Sequence, residues 1–210
     1  MDLTRAEEAI RRGTASQWTT AVLEEIVLGK RLEIAAVRHP LGFLCLPIER
    51  SGEDGVCVHL WSPSLPEIEP TTSPVHAHSW DLLSHVLYGE LRNNLFHIVD
   101  APEGPYRLFE VISGADEDEI RPTERLVSCR LAGSEIHRAG DTYSLPTGRF
   151  HTTEVEGTAV TLALGQGRPG TVDLSLGDPD VSPHRVRRLR DHPEETLVTI
   201  KMIMRWLRKQ

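Results

Sequence analysis

The chain has 210 residues and a formal net charge of −8 at pH 7, a length that suits one domain with its own core. Apolar residues make up 39% and charged residues 26%, which excludes global disorder, and the acidic surplus argues against a nucleic-acid binder. No apolar run approaches the roughly 18 residues of a membrane-spanning helix, so no membrane partner is expected. The opening MDLTRAEEAIRR has acids where a signal peptide needs an apolar segment. Cys45, Cys57 and Cys129 lack CxxC spacing and alternate with apolar residues. They read as buried core thiols in a reducing, cytoplasmic setting. Ten histidines is the unusual count, and the useful question is whether any converge.

Thr4 with Glu7 forms a capping-box signal for a first helix, which Gly13 stops. Ser16 can cap a second helix, with Trp18, Val22 and Ile26 on one face and Gly29 at its end. From about residue 36 the texture becomes short β-prone runs separated by turn residues. LGFLCLPIE, GVCVHLWS, LLSHVLYG, ELRNNLFHIV, YRLFEVIS, ERLVSCRL, SEIHRAG, DTYSLP, FHTTEVE and TAVTLALG read as strands. Such a series predicts an antiparallel sandwich or barrel, not a parallel α/β sheet. The Pro-rich stretch 62–74 reads as a surface loop, either a lid or a tolerated insertion. The basic run HRVRRLR, 184–190, reads as a solvated or acid-paired patch. Asp191 and Pro193 then open a last helix with the stripe Leu197, Ile200, Met204 and Leu207. The whole reads as a single domain, with helices over 1–35, a barrel over 36–175 and a tail and helix over 176–210.

The chemistry-bearing stretch is PVHAHSWDLLSHVLYGEL. His76 and His78 are two apart, so in a strand both imidazoles point to one face and can reach one ion. Far downstream, AGDTYSLPTGRFHTTEV places Gly140, Pro146 and Gly148 before His151. The Gly and Pro predict a tight turn, after which His151 re-enters a strand.

These segments resemble the two cupin motifs. His76, His78 and Gly89 stand at the separations of the first, and Gly140, Pro146, Gly148 and His151 at every fixed position of the second. The resemblance covers roughly 40–165 and implies a mainly β double-stranded β-helix, a jelly-roll barrel whose mouth holds a metal. Leu82 stands where cupins carry a metal-binding Glu, so the implied ligand set is three histidines. Asp81 is one residue off register, and a β-bulge would be needed to bring it in as a fourth.

A three-histidine cupin resembles the cysteine dioxygenase group of thiol dioxygenases. GELRNNLF and Trp61 add to that resemblance. The group's Ser-x-His-x-Tyr relay has no counterpart, because the matching region reads TAVTLALGQG. Arg50 corresponds to the Arg that grips the substrate carboxylate only if two compensating gaps are allowed. The resemblance therefore implies a relative with a substrate other than cysteine: an Fe(II) oxygenase acting with O2 on a small polar metabolite. Imidazole also suits other metals, and Zn, Ni and Mn remain alternatives to Fe(II). So do two other functions, a non-oxidative metal-dependent isomerase, dehydratase or lyase, and a non-catalytic small-ligand binder. Among further candidates, Ser84 has inward parity and is either a substrate contact or a small core residue. Thr153 and Tyr143 are candidates for the mouth, and Tyr143 would be the natural proton donor if it points inward. Arg50 and Arg149 could meet a substrate carboxylate, with surface exposure the alternative. Barrel edges or the terminal helices could form a homodimer interface.

Overall fold

A computed structural model describes residues 2–31, 34–66, 68 and 72–208. Three helices flank the β region: α1 (Asp2–Arg11), α2 (Ala15–Val27) and α3 (Pro193–Leu207). The described strands are β1 (Val37–His39), β2 (Phe43–Ser51), β3 (Asp54–Trp61), β4 (His76–Ala77), β5 (Trp80–Tyr88), β6 (Glu90–Asp100), β7 (Tyr106–Ser113), β8 (Glu117–Arg138), β9 (Thr142–Leu145), β10 (His151–Glu154), β11 (Ala159–Gly167), β12 (Asp173–Gly177), β13 (His184–Arg187) and β14 (Leu189–Arg190). They form two antiparallel sheets, ordered β14-β1-β2-β3-β11-β5-β9 and β13-β8-β6-β10-β4-β12-β7, and β8 also pairs β7. The protein is thus mainly β, two antiparallel sheets with helices at both ends.

The first sheet has two unlike faces because its strands alternate. Leu44, Leu46, Val56, Val58, Leu60 and Leu162 point outward and are buried under Leu23 and Ile26 of α2 and Ile200 and Ile203 of α3. Each such leucine contributes about 1.5–3 kcal/mol by leaving water. The alternate positions point into the barrel. There Leu82, Val86, Leu91, Leu95, Leu145 and Ala163 form a second apolar cluster.

Several expected boundaries shift. Helix α1 begins at Asp2, so Thr4 lies inside it, and Thr14 rather than Ser16 precedes α2. The final helix does start at Pro193, and its capping box comes from His192 and Glu195. ERLVSCRL and SEIHRAG are one strand, β8, not two. Gly133 between them makes no turn, because β6 runs alongside throughout and the register slips between Leu95 and Phe96 instead. The basic run 184–190 forms β13 and β14. Arg185, Arg188 and Arg190 there pair with Glu117, Asp118 and Asp116, the acid-paired alternative.

The β5–β6 connection turns on Gly89, at φ +79°, where a Cβ would meet the Thr158 carbonyl oxygen at 2.1 Å. That is backbone, which cannot swing aside. A Gly89→Ala variant is expected to lose more than about 1 kcal/mol of stability, measured by urea denaturation against wild type.

Candidate metal centre

Strand β4 has only two residues and lies between β10 and β12. Its partner across β10 is the decisive one: His151 pairs directly with His76. The Gly148 N–H also donates to the His78 carbonyl oxygen at 2.9 Å, so the turn before His151 is tied to the backbone of the first segment. Gly148 holds φ +75°, which lets the chain turn there without the strain a side chain would add.

The three rings converge. Ring centroids are 4.3 Å apart for His76–His151, 4.8 Å for His76–His78 and 5.1 Å for His78–His151. One ring nitrogen from each lies within 4.8 Å of the others, close enough for one ion once the rings draw in to its bonds of about 2.1 Å. Two rings are held by the backbone. His76 Nδ1 donates to the Pro74 carbonyl at 2.9 Å and His151 Nδ1 donates to the Arg149 carbonyl at 3.0 Å. Since a carbonyl only accepts, Nδ1 carries the proton and the Nε2 lone pair is free to ligate. His78 stacks on Trp80 at 4.1 Å. Burial first, then the neighbouring histidines, push His76 and His151 down to about 3 and His78 well below its ordinary value. The rings are therefore neutral at physiological pH, the form a metal requires. This donor set, three neutral imidazoles with preset tautomers, fits a divalent transition metal.

Asp81 does not join the histidine group. Its carboxylate accepts from Thr147 N and Oγ1 at 2.8 Å and pairs with Arg168. Arg168, then Thr147, hold it down at about 2. Strand β5 has no bulge at this point that would turn it inward; its neighbour Leu82 takes the inner position and is buried.

Ser84 is buried on the inner face, directly opposite Tyr143 in the β5–β9 pairing. Tyr143 is also buried, lies against Ser84 and Asn93, and stacks on His137 at 4.4 Å. Burial raises its pKa, so the phenol keeps its proton. Thr153, two residues beyond His151, donates to Asn93 Oδ1 at 2.9 Å. Arg50 is exposed. The register slip between Pro47 and Glu49 leaves it opposite Gly55, in line with the inner-face positions of β3. Of the 62–74 loop, residues 67 and 69–71 lie outside the described residues, and Thr72 Oγ1 donates to Ser175 Oγ at 2.9 Å.

Asn93 escaped the sequence reading. It is fully buried and its Nδ2 has no partner. An amide at the centre of the alternation Leu91-Asn93-Leu95 was the available signal. His39 and His59 join Phe43 and Trp61 in an aromatic wall with neighbouring centroids 4.3–5.8 Å apart. Burial and the charge of His59 push His39 down to about 3.

No protein-family model matches the sequence, and no curated protein matches it. Solved structures of similar fold do. An RmlC-like cupin from Shewanella frigidimarina is 13% identical, with 61% of this chain and 79% of that chain covered and a TM-score of 0.36. The DMSP lyase DddQ from Ruegeria pomeroyi is 17% identical over 62% of this chain, at a TM-score of 0.37, and this chain covers 50% of its length. A hydroquinone 1,2-dioxygenase from a Sphingomonas species, with 4-hydroxybenzoate bound, is 16% identical over 58% of this chain and 65% of its own, at a TM-score of 0.33. At these identities and TM-scores the likeness carries no argument about this chain, and the chemistry rests on its own residues.

The depressed histidines make stability depend on pH. In the unfolded chain they take up protons below their ordinary value of 6.5, whereas the fold keeps His39, His76 and His151 neutral down to about 3 and holds His78 and His85 below that ordinary value too. The unfolded state thus binds more protons in that window. The metal-free protein should be fully stabilised above about pH 6.5 and lose melting temperature steadily as pH falls below it. Thermal denaturation between neutral pH and pH ~4 checks this; a flat profile would contradict burial of neutral rings.

Proposed function

We propose that the chain is a metal-dependent cupin enzyme whose three histidines hold Fe(II) for oxygenation of a small polar metabolite other than cysteine. The observation that carries this reading is the convergence of three neutral imidazoles in a group with no carboxylate. Neutral ligands leave the full 2+ charge of an ion to attract an anionic substrate. Fe(II) bound there would supply open facial positions for a chelating substrate and for O2.

The chain's own groups define what such a substrate meets. Pro74 and Arg149 carbonyls fix two of the rings, so little reorganisation accompanies binding. The free Nδ2 of Asn93 can donate to a substrate oxygen. Tyr143 holds a proton in a buried polar layer with Ser84, Asn93 and Thr153 and can release it to a developing anion. Arg50 offers a charge for a substrate carboxylate. The inner-face positions of β11 are Thr161, Ala163 and Gly165. No ring there can form the Ser-x-His-x-Tyr relay, which supports a substrate other than cysteine. A non-oxidative isomerase, dehydratase or lyase is the second reading, favoured by the Tyr143 layer, since proton transfer needs no O2.

Metal analysis after anaerobic reconstitution with Fe(II) should find one equivalent at this site, lost in a His76→Ala, His151→Ala double variant. Screening chelating acids and thiols with an oxygen electrode should then find a substrate-dependent uptake. Turnover without oxygen consumption, or full zinc or nickel occupancy on isolation, would favour the second reading. Once a substrate is in hand, Tyr143→Phe is expected to lower kcat by ~100-fold or more while the metal content stays at wild-type level.

A further inference from the structure

The inner face of the first sheet carries a second cluster of metal-competent donors. Cys45 on β2 sits directly opposite His59 on β3, and Cys57 lies two residues before His59 on the same face. Both sulfurs and one His59 nitrogen lie within 4.8 Å of one another. We propose that Cys45, Cys57 and His59 form a second site, separate from the three histidines, that binds a thiophilic divalent cation of the Zn(II) type.

Register decides between a shared cation and a disulfide. Diagonal neighbours on antiparallel strands have Cα atoms ~7–8 Å apart, beyond the ~4.4–6.8 Å that a disulfide bridges. Both cysteines are free. An ion with Zn–S bonds of about 2.3 Å holds two thiolates roughly 3.8–4.0 Å apart, which this pair reaches with little adjustment. Two thiolates and an imidazole are soft donors that select Zn(II) over magnesium or calcium. They also neutralise the ion's charge, so the complex costs little to bury.

A separate observation points to the same place. Thr161 on β11 pairs with His59 on β3, is fully buried, and its Oγ1 has no hydrogen-bond partner. Three protein donors leave one tetrahedral position open. A water in that position would give the Thr161 hydroxyl the partner it lacks. On binding, two S–H bonds break and two Zn–S bonds form. Both protons pass to solvent and no oxidation state changes.

The inference does not depend on the proposed oxygenase. Co(II) titrated into the full-length reduced protein serves as the spectroscopic probe. A sulfur-to-cobalt charge-transfer band is expected in wild type and in the His76→Ala, His151→Ala variant, and should vanish in a Cys45→Ala, Cys57→Ala variant. Absence of that band in wild type at saturating Co(II), or its survival in the cysteine variant, overturns the site. Thiol alkylation of wild type keeps the question answerable if the cysteine variant does not fold. Zn(II) should slow modification of Cys45 and Cys57 by about tenfold or more while leaving Cys129 unaffected, whereas equal slowing at all three, or none, overturns it.

Discussion

One antiparallel register, His151 against His76 across β10 and β4, is the constraint on which the site depends. Strand β4 is only two residues long, too short to hold a position through its own ladder. It is held from both sides, by β10 and by β12, and the Gly148 N–H clamps the next residue, His78, by its carbonyl. Because side chains alternate with a period of two, a slip of one residue would turn a histidine out of the group. The two glycine-bearing turns are therefore part of the site: Gly89 returns the chain from β5 to β6, and Gly148 delivers His151.

Burial then sets the chemistry. Three imidazoles crowded in an apolar barrel cannot share protons, so they stay neutral. Backbone carbonyls choose the tautomer for two of them. The adjacent carboxylate, Asp81, is drawn off by Arg168 and Thr147. What remains in the group is imidazole alone. The opposite wall carries donors of another kind, two thiols and a histidine beside an unpartnered hydroxyl. One barrel thus presents a borderline donor set on the second sheet and a softer one on the first.

Much of this was legible along the chain. The spacing of His76 and His78 declared one strand face, and Gly140, Pro146, Gly148 and His151 declared a turn feeding a strand. The parity of Ser84 against Leu82 placed it inward, where it is buried. Other features were not readable. ERLVSCRL and SEIHRAG looked like two strands because Gly133 resembles a break, yet pairing with β6 carries β8 straight through it. Arg50 could not be assigned a face, since the bulge between Pro47 and Glu49 is created by pairing and leaves no mark in the residues themselves. The 184–190 arginines had no visible acids nearby; theirs come from β8 and the turn before it, about 70 residues earlier in the chain.

The residues by themselves determined the alternation, the turn positions and the all-histidine character of the motif, because these follow from local backbone geometry and side-chain chemistry within a few positions. Only the tertiary structure decided which faces meet. Proximity between strands distant in sequence is set by sheet order and register, and these depend on how the whole barrel buries its apolar surface. That is why Cys45 and Cys57 read as unrelated core thiols in the chain yet share one small volume with His59 in the fold. The same cause left Asn93 unnoticed, an amide whose significance lies in having no partner.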